Sequence, residues 1–312
     1  SWAYDDNDAF VQHLHCGDEK NKEMNLSEFD VKYTEYIDDF INYSESVFKN
    51  VTSPNGLADA MKYSFFAGGK RIRPVLTLAF GDCLGVGLDM LLPFAFGLEC
   101  IHTYSLIHDD LPCMDNDVLR RGKPTCHVRF DEATALLAGD ALLNFAFEHV
   151  LSKISTKREI EALGYLAGCS GVNGMLSGQQ SDKENEGVKD KDENNLLYTY
   201  RMKTGKLLTA PFVIPAILKG NKAIVPIAEE IGAEFGQAFQ FADDLKDVLM
   251  SSSETGKTSG KDIKEEKLTS VSVYGIEETK KKIANLIDNV KSLSEKFDKT
   301  EFLQKIFETV IK

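Results

Sequence analysis

The stretch SLIHDDLPCMDNDVLRRGKPTCH, residues 105–127, places four aspartates between an apolar run and two arginines. The aspartates are Asp109, Asp110, Asp115 and Asp117. Residues 94–107 before them are mostly apolar or aromatic, which predicts a buried helix that leads into the cluster. Pro112 lacks an N–H and disfavours helical geometry at Leu111, so the helix should end there. Carboxylates this close together repel one another unless a cation lies among them.

A second acidic stretch, FQFADDLKDV, covers residues 239–248. Asp243 and Asp247 are four residues apart, so on a helix they share a face with about 5–6 Å between their Cβ atoms. A solvated helix face is the ordinary alternative for such a motif. The preceding run FGQAFQFA, residues 235–242, is apolar and aromatic, however, which indicates that this cluster also ends a buried helix.

Carboxylates without accompanying His or Cys ligands suit Mg²⁺, which completes its shell with water and substrate phosphates. Arg120 and Arg121 follow the first cluster, and arginine is well shaped for bidentate contact with phosphate. A further basic stretch, GGKRIRP at residues 68–74, begins with two glycines that would let the backbone approach an anion closely. Alone, that stretch could be a surface loop. Together with the aspartates it indicates a site for Mg²⁺ and a diphosphate.

The rest of the chain predicts an all-α fold. Apolar residues recur at three- and four-residue intervals in 28–50, 56–66, 87–111, 131–152, 158–178, 194–208, 223–250, 277–292 and 299–311. Charge-rich segments at 181–195 and 251–267 predict loops. We therefore predict one all-helical domain over 28–312, preceded by a weakly ordered acidic extension over 1–27.

Composition limits the function classes. The 312 residues are 43% hydrophobic and 27% charged, as in globular proteins. A net charge of −13 argues against nucleic-acid partners. The six cysteines form no CxxC pair, which is typical of reduced thiols. No apolar run reaches about 18 residues, so we expect no transmembrane segment. We expect a cytoplasmic protein, with a plastid-type organelle as the alternative because the chain begins with Ser and a targeting segment could precede it.

These motifs resemble those of the trans-isoprenyl diphosphate synthases, and residues 105–127 are most similar to the farnesyl and geranylgeranyl diphosphate synthases of bacterial and plastid type. The other matching motifs are FAGGKRIRP (66–74), LAGDALL (137–143), YRMKTGKLL (200–208), FQFADDLKD (239–247) and TGKTSGKD (255–262). The resemblance covers about 30–285. It implies a single large domain of helices around a deep central cavity, with the two aspartate motifs facing each other across its mouth, and a homodimer.

The resemblance also implies roles for individual residues. Three Mg²⁺ ions would be held mainly by Asp109, Asp115 and Asp243, with support from Asp110, Asp244 and Asp247. The allylic diphosphate would contact Arg120, Lys203 and Lys257. Isopentenyl diphosphate would be bound by Gly69, Lys70, Arg73, His102 and Arg121. Thr204 and Gln240 match positions near the reacting carbons. For His102, a core histidine without a ligand role is the alternative reading.

The activity implied is Mg²⁺-dependent head-to-tail condensation of isopentenyl diphosphate with allylic diphosphates. Breaking the allylic C–O bond requires positive charge at the leaving diphosphate and a dry apolar cavity for the carbocation. A class I terpene cyclase is one alternative, but it would not need the second aspartate motif in this form or the isopentenyl-site residues. A non-catalytic subunit of a heteromeric synthase is another, although such subunits usually lose aspartates.

Product length is expected to depend on Tyr104 and Ser105, which lie about one helical turn before Asp109. An aromatic residue here, together with the insertion Pro112–Cys113, resembles the farnesyl-forming pattern. We therefore predict mainly a C15 product, with C20 as the alternative. Tyr104 could instead only pack between helices. Two positions depart from the family pattern: Lys246 stands where an apolar residue is usual, and Glu266 replaces a glycine.

Overall fold

The computed structural model describes residues 24–53, 56–186, 192–254 and 268–309. Helices dominate these ranges and the strands within them are two dipeptides, which confirms the all-α class. The chain divides into two compact units with a boundary between Leu163 and Gly164. The single domain over 28–312 stays a prediction. Most of the predicted extension lies outside the described residues, and the first helix that the structure describes begins at Leu26.

Within the described residues, the first unit contains helices α1 to α6, the start of α7 and a short hairpin. The bounds are α1 Leu26–Phe48, α2 Leu57–Phe65, α3 Ile72–Cys83, α4 Leu88–Asp109, β1 Leu119–Arg120, β2 Lys123–Pro124, α5 Cys126–Arg129, α6 Glu132–Lys153 and α7 Lys157–Ser170. Helix α1 starts with a capping box in which Asn25 and Glu28 satisfy each other's backbone N–H groups. Helix α4 packs against both α3 and α6 and forms the centre of this unit.

Helix α4 carries the first aspartate cluster at its C-terminal end. By length and composition it could cross a membrane, but 78% of its apolar window is buried inside the fold. Its apolar composition is therefore that of a core helix. The helix ends at Asp109, two residues before Leu111, as the steric effect of Pro112 predicts.

Helix α3 was not predicted, because residues 72–81 are buried on every side. A helix that packs all round carries no alternation between apolar and polar faces, so its sequence lacks the helical period. The loop before it turns sharply, since Gly68, Gly69 and Arg71 have φ angles of 100°, 107° and 50°. This loop contains the basic stretch over 68–74 and places Arg73 in the first turn of α3.

The second unit contains the rest of α7 and all later elements. The bounds are α8 Met175–Glu184, α9 Glu193–Tyr200, a π-helical segment Arg201–Gly205, α10 Lys206–Lys219, α11 Ile224–Glu254, α12 Ser270–Tyr274, α13 Ile276–Ser294 and α14 Glu301–Thr309. Helix α11 packs against α10 and α13. Its residues Phe235 and Phe241 are fully buried, as the apolar run before the second cluster predicts.

Three predicted boundaries in this region are wrong. The helix predicted over 158–178 is two helices, because the chain turns back at Gly174, where a Cβ atom would lie 2.2 Å from the Cys169 carbonyl oxygen. The loop predicted over 181–195 is partly helical, since α8 continues to Glu184 and α9 begins at Glu193. The loop predicted from 251 begins later, because α11 reaches Glu254. Residues 187–191 and 255–267 lie outside the described residues.

Candidate active site

The first aspartate cluster is built around the end of α4. The Asp115 N–H donates to the Asp109 carbonyl oxygen at 2.9 Å, so the backbones of these two predicted metal ligands lie in the same turn. The Met114 and Asn116 N–H groups both donate to the Leu111 carbonyl, at 2.8 and 3.1 Å. The segment after the helix is therefore a compact loop, and it holds Asp109 and Asp115 together.

Asp110 has a different environment from Asp109. Its carboxylate is 3% exposed and accepts three bonds from Arg120, two from Nε at 2.9 Å and one from Nη2 at 2.6 Å. Burial raises the pKa of Asp110, and the Arg120 bonds oppose that shift. Asp110 thus fixes the guanidinium of Arg120 beside the cluster, and the predicted support of Asp110 for a metal stays a prediction.

The basic residues of the first unit differ in how they are paired. Arg71 is buried and ion-paired with buried Glu99 at 2.6 Å, so its charge is compensated. Arg73 is also buried, but its Nε has no hydrogen-bond partner among the described residues. Burial lowers the pKa of Arg73 to about 10. A buried guanidinium with an unused donor is costly by itself and favours an anionic ligand.

Two further side chains surround this cation. The Arg121 guanidinium donates to the Gly68 carbonyl, and a Cβ at Gly69 would lie 2.5 Å from the Arg121 Cζ. Gly69 is therefore needed for Arg121 to lie against the loop. The pKa of His102 is well below its usual value because the ring is buried and faces guanidinium groups, that of Arg73 foremost. His102 is neutral, so it can donate a hydrogen bond without adding charge.

Lys70 is exposed, and its carbonyl oxygen accepts a 2.5 Å hydrogen bond from Tyr33. The structure therefore brings Gly69, His102 and Arg121 near the buried guanidinium of Arg73, with Lys70 exposed in the loop beside them. We call this group the cationic site around Arg73.

The two residues expected to control product length are both buried. Tyr104 is 3% exposed, and its hydroxyl has no hydrogen-bond partner among the described residues. Its ring makes an edge-to-face contact with His108, with centroids 5.6 Å apart. The Ser105 hydroxyl donates to the His102 carbonyl at 2.8 Å. Tyr104 thus presents a bulky ring about one turn before the first cluster.

In the second unit, Lys203 and Thr204 lie on the π-helical segment. Such segments are rare and often occur at functional sites. The Thr204 hydroxyl donates to Gln240 Oε1 at 2.9 Å, so the structure pairs these two predicted residues. Lys203 forms a 2.6 Å ion pair with Asp182 of α8. The close approach depends on Gly178, where a Cβ would lie 2.0 Å from the Lys203 backbone nitrogen.

Sequence reasoning missed Asp182. Residue 182 lies in the charge-rich loop predicted over 181–195, and nothing in the spacing connects it to Lys203, which is 21 residues away. The available signal is Gly178, since a glycine inside a helix costs about 1 kcal/mol and usually has a packing reason.

The second aspartate cluster separates into two kinds of carboxylate. Asp243 is half-buried and Asp247 is exposed. Asp244 is buried and accepts bonds from the Ser270 N–H and hydroxyl, both at 2.7 Å, and from the Tyr200 hydroxyl. Burial raises the pKa of Asp244, opposed by these donors. Asp244 joins α11 to α9 and α12, while Asp243 and Asp247 are the carboxylates with access to solvent.

Lys246 lies beside Asp243. Burial lowers the pKa of its ammonium group, and the Asp243 carboxylate partly offsets that effect. The unusual lysine therefore adds positive charge next to a predicted metal ligand. Lys257 and Glu266 lie outside the described residues, and so does the motif over 255–262.

The donor sets fit Mg²⁺. Across the parts of the chain that the structure describes, no three His, Cys, Asp or Glu side chains form a ready-made metal site. Mg²⁺ does not need one, because it is usually held by one or two carboxylates, several waters and substrate phosphates. Asp109 and Asp115 in the first unit, and Asp243 in the second, are carboxylates that could hold such an ion.

Comparison with known proteins agrees with this geometry. A family model described as polyprenyl synthetase matches residues 54–310. The chain belongs to the polyprenyl synthetase family. As a member, it is a prenyltransferase with prenyl diphosphate condensation as its chemistry. This chemistry is consistent with a chain that carries both aspartate clusters and the buried guanidinium of Arg73.

Its relatives include both farnesyl and geranylgeranyl enzymes. The chain is 43% identical over 272 residues to the farnesyl diphosphate synthase of Micrococcus luteus, covering 86% of this chain and 91% of that protein. It is 43% identical over 234 residues to the chloroplastic geranylgeranyl pyrophosphate synthase of Catharanthus roseus, covering 74% of this chain and 66% of that protein. The solved structure of geranyltransferase from Legionella pneumophila superposes on this chain with a TM-score of 0.82 at 31% sequence identity. The match covers 91% of this chain and 97% of that one.

Proposed function

We propose that the protein is a Mg²⁺-dependent synthase that condenses isopentenyl diphosphate with allylic diphosphates and releases mainly farnesyl diphosphate. The observation that carries this proposal is the buried cationic site around Arg73, combined with the carboxylates that the loop after α4 holds together. A terpene cyclase or a purely structural helical protein would not need a cationic site for isopentenyl diphosphate in addition to carboxylates for the allylic diphosphate.

Asp109, Asp115 and Asp243 are the residues we propose to hold Mg²⁺. The bound ions would neutralise the charge that develops on the departing diphosphate. Asp110 holds Arg120 in the first unit, and Asp182 holds Lys203 in the second. Each cation is proposed to contact a substrate diphosphate while keeping its carboxylate partner. Phe235 and Phe241 of α11 are fully buried in the second unit.

Isopentenyl diphosphate is proposed to bind at Arg73, Arg121 and His102. Arg73 supplies an unused buried N–H, and neutral His102 supplies a donor without further charge repulsion. The Thr204–Gln240 pair would lie near the reacting carbons, and the proton lost after bond formation would pass to the released pyrophosphate. No side-chain base is required by this scheme.

Arg73→Ala should raise the KM for isopentenyl diphosphate about 10- to 100-fold, because it removes a charge-assisted contact to that substrate. The KM for the allylic substrate should change less than threefold, roughly, since separate anion sites are proposed. Steady-state kinetics with each substrate varied in turn measure both constants. Equal increases in the two would mean that Arg73 does not belong to an isopentenyl site.

Tyr104 is proposed to limit the product to C15, with C20 as the alternative if the growing chain passes beside the ring. Tyr104→Ala should shift the product distribution to C20 and longer, because it removes a buried aromatic ring about one helical turn from the first aspartate cluster. Tyr104→Phe is the matched control. It keeps the ring and deletes only a hydroxyl that has no partner among the described residues, so it should keep the C15 product.

Chromatographic sizing of the dephosphorylated products tests this proposal at equal substrate conversion. A Tyr104→Ala product of unchanged length, or a wild-type product that is already C20, would place the end of the cavity elsewhere.

We also propose a homodimer formed through α6. Leu136, Leu137 and Leu151 of this helix are 47%, 56% and 62% exposed, which is unusual for large apolar residues on one helix. A second copy of the chain is the proposed cover because identical chains most often pair through one self-complementary surface. Light scattering decides between the two outcomes: a mass of two chains supports the dimer, and a monomer at micromolar concentration rejects it.

A further inference from the structure

We propose that His108 is a positioning residue that fixes the orientation of the Tyr104 ring and thereby helps to set product length. Its imidazole packs against Gly139 of α6. This inference rests on the role proposed above for Tyr104. His108 precedes Asp109 and has no part in the scheme for metal or diphosphate binding.

The contacts of His108 join two helices. Its Nε2 lies 3.0 Å from the Leu136 carbonyl oxygen of α6. Since a carbonyl can only accept, Nε2 carries the hydrogen, which defines the tautomer. The same imidazole stands nearly perpendicular to the Tyr104 ring, with an interplanar angle of 83° and a centroid distance of 5.6 Å. His108 therefore bridges α6 and the ring that we propose limits chain growth.

The His108 imidazole packs closely against Gly139, which has no side chain. A Cβ atom at this position would lie 2.1 Å from Nε2 and 2.4 Å from Cδ2 of His108, far inside contact distance. Any larger residue at 139 must displace the ring or separate the helices. A glycine inside a helix also costs about 1 kcal/mol relative to alanine, and close packing of His108 offsets that cost.

The Tyr104 ring depends on packing to hold its orientation. Its hydroxyl has no hydrogen-bond partner among the described residues, so no polar contact there fixes the side chain. The imidazole edge of His108 occupies the space beside the ring. If that imidazole is removed or displaced, the phenol can turn into the vacated volume, and the space about one turn before Asp109 becomes deeper.

The experiment compares products of the full-length protein made from geranyl diphosphate and labelled isopentenyl diphosphate. The variants are His108→Ala, Gly139→Ala, the double variant, His108→Phe and Gly164→Ala. Product ratios are taken at equal conversion, so a lower rate does not affect the comparison. Gly164→Ala is the matched control, because a Cβ there meets nothing within 4 Å. Thermal melts identify any variant that does not fold.

We expect His108→Ala and Gly139→Ala each to raise the ratio of C20 to C15 products about fivefold or more. The double variant should match His108→Ala alone, because the clash at residue 139 requires the imidazole. His108→Phe keeps a ring on Gly139 and should keep the wild-type ratio, as should Gly164→Ala. A rescue by Phe would not occur if His108 acted through charge.

Unchanged ratios in His108→Ala, while Tyr104→Ala lengthens the product, would overturn this inference and leave the role of Tyr104 intact. If Tyr104→Ala itself leaves the length unchanged, the proposed length control fails and this inference fails with it. Should Gly139→Ala not fold, His108→Ala against His108→Phe still decides the question.

Discussion

Asp109→Ala and Asp243→Ala are each expected to lower turnover about 10²- to 10³-fold while the protein stays folded. Each change removes a carboxylate that we propose holds Mg²⁺ beside the departing diphosphate, and loss of one electrostatic contact to developing charge typically has an effect of this size. Asp109 is half-buried at the end of α4, and Asp243 is half-buried on α11, so neither is part of the core. Initial rates at saturating substrates and several Mg²⁺ concentrations measure the loss.

The matched control for these variants is Asp288→Ala, an aspartate on the exposed face of α13. It changes the net charge equally and should keep wild-type turnover. If Asp109→Ala or Asp243→Ala retained turnover within about threefold of the control, the carboxylate in question would not be a metal ligand.

Asp244→Ala should instead act on stability, lowering the free energy of unfolding by about 3 kcal/mol or more. Its carboxylate accepts the Ser270 N–H and hydroxyl and the Tyr200 hydroxyl inside the second unit. Removing it leaves the Tyr200 and Ser270 hydroxyls without this buried acceptor and weakens the link between α11 and α12. Asp247→Ala is the matched control on the same helix, and because Asp247 is exposed its effect should be within about 0.5 kcal/mol.

Urea unfolding followed by circular dichroism gives both values. Equal effects of the two substitutions on the free energy of unfolding would show that the hydrogen bonds to Asp244 contribute little to stability. Asp244 would then not have the structural role that its contacts indicate.

The sequence predicted those parts of the fold that have a one-sided apolar pattern. Helix α4 and the position of its end followed from an apolar run and Pro112, and both are confirmed. Helix α3 could not be found in this way, because burial on every side removes the period from the sequence. The division of 158–178 into two helices depends on the close approach of Gly174 to the Cys169 carbonyl, which is a property of the folded backbone.

The candidate site shows the same limit. Spacing alone brought Asp109 and Asp115 into one cluster, and basic motifs indicated Arg73 and Arg121. Which aspartate of each adjacent pair is buried could not be predicted, because it depends on side-chain contacts that form only in the folded chain. Asp110 is engaged by Arg120, and the residues that engage Asp244 come from two other helices. The Lys203–Asp182 ion pair was missed for the same reason.

The central claim is that this chain elongates allylic diphosphates with isopentenyl diphosphate. Incubation of the purified protein with labelled isopentenyl diphosphate and dimethylallyl, geranyl or farnesyl diphosphate, with Mg²⁺ or with a chelator, tests it most directly. We predict that the dimethylallyl and geranyl starters are converted mainly to C15 in the presence of Mg²⁺, that farnesyl diphosphate is extended poorly, and that the chelator stops incorporation. No incorporation of label with any starter, or release of cyclic hydrocarbons without use of isopentenyl diphosphate, would contradict the claim.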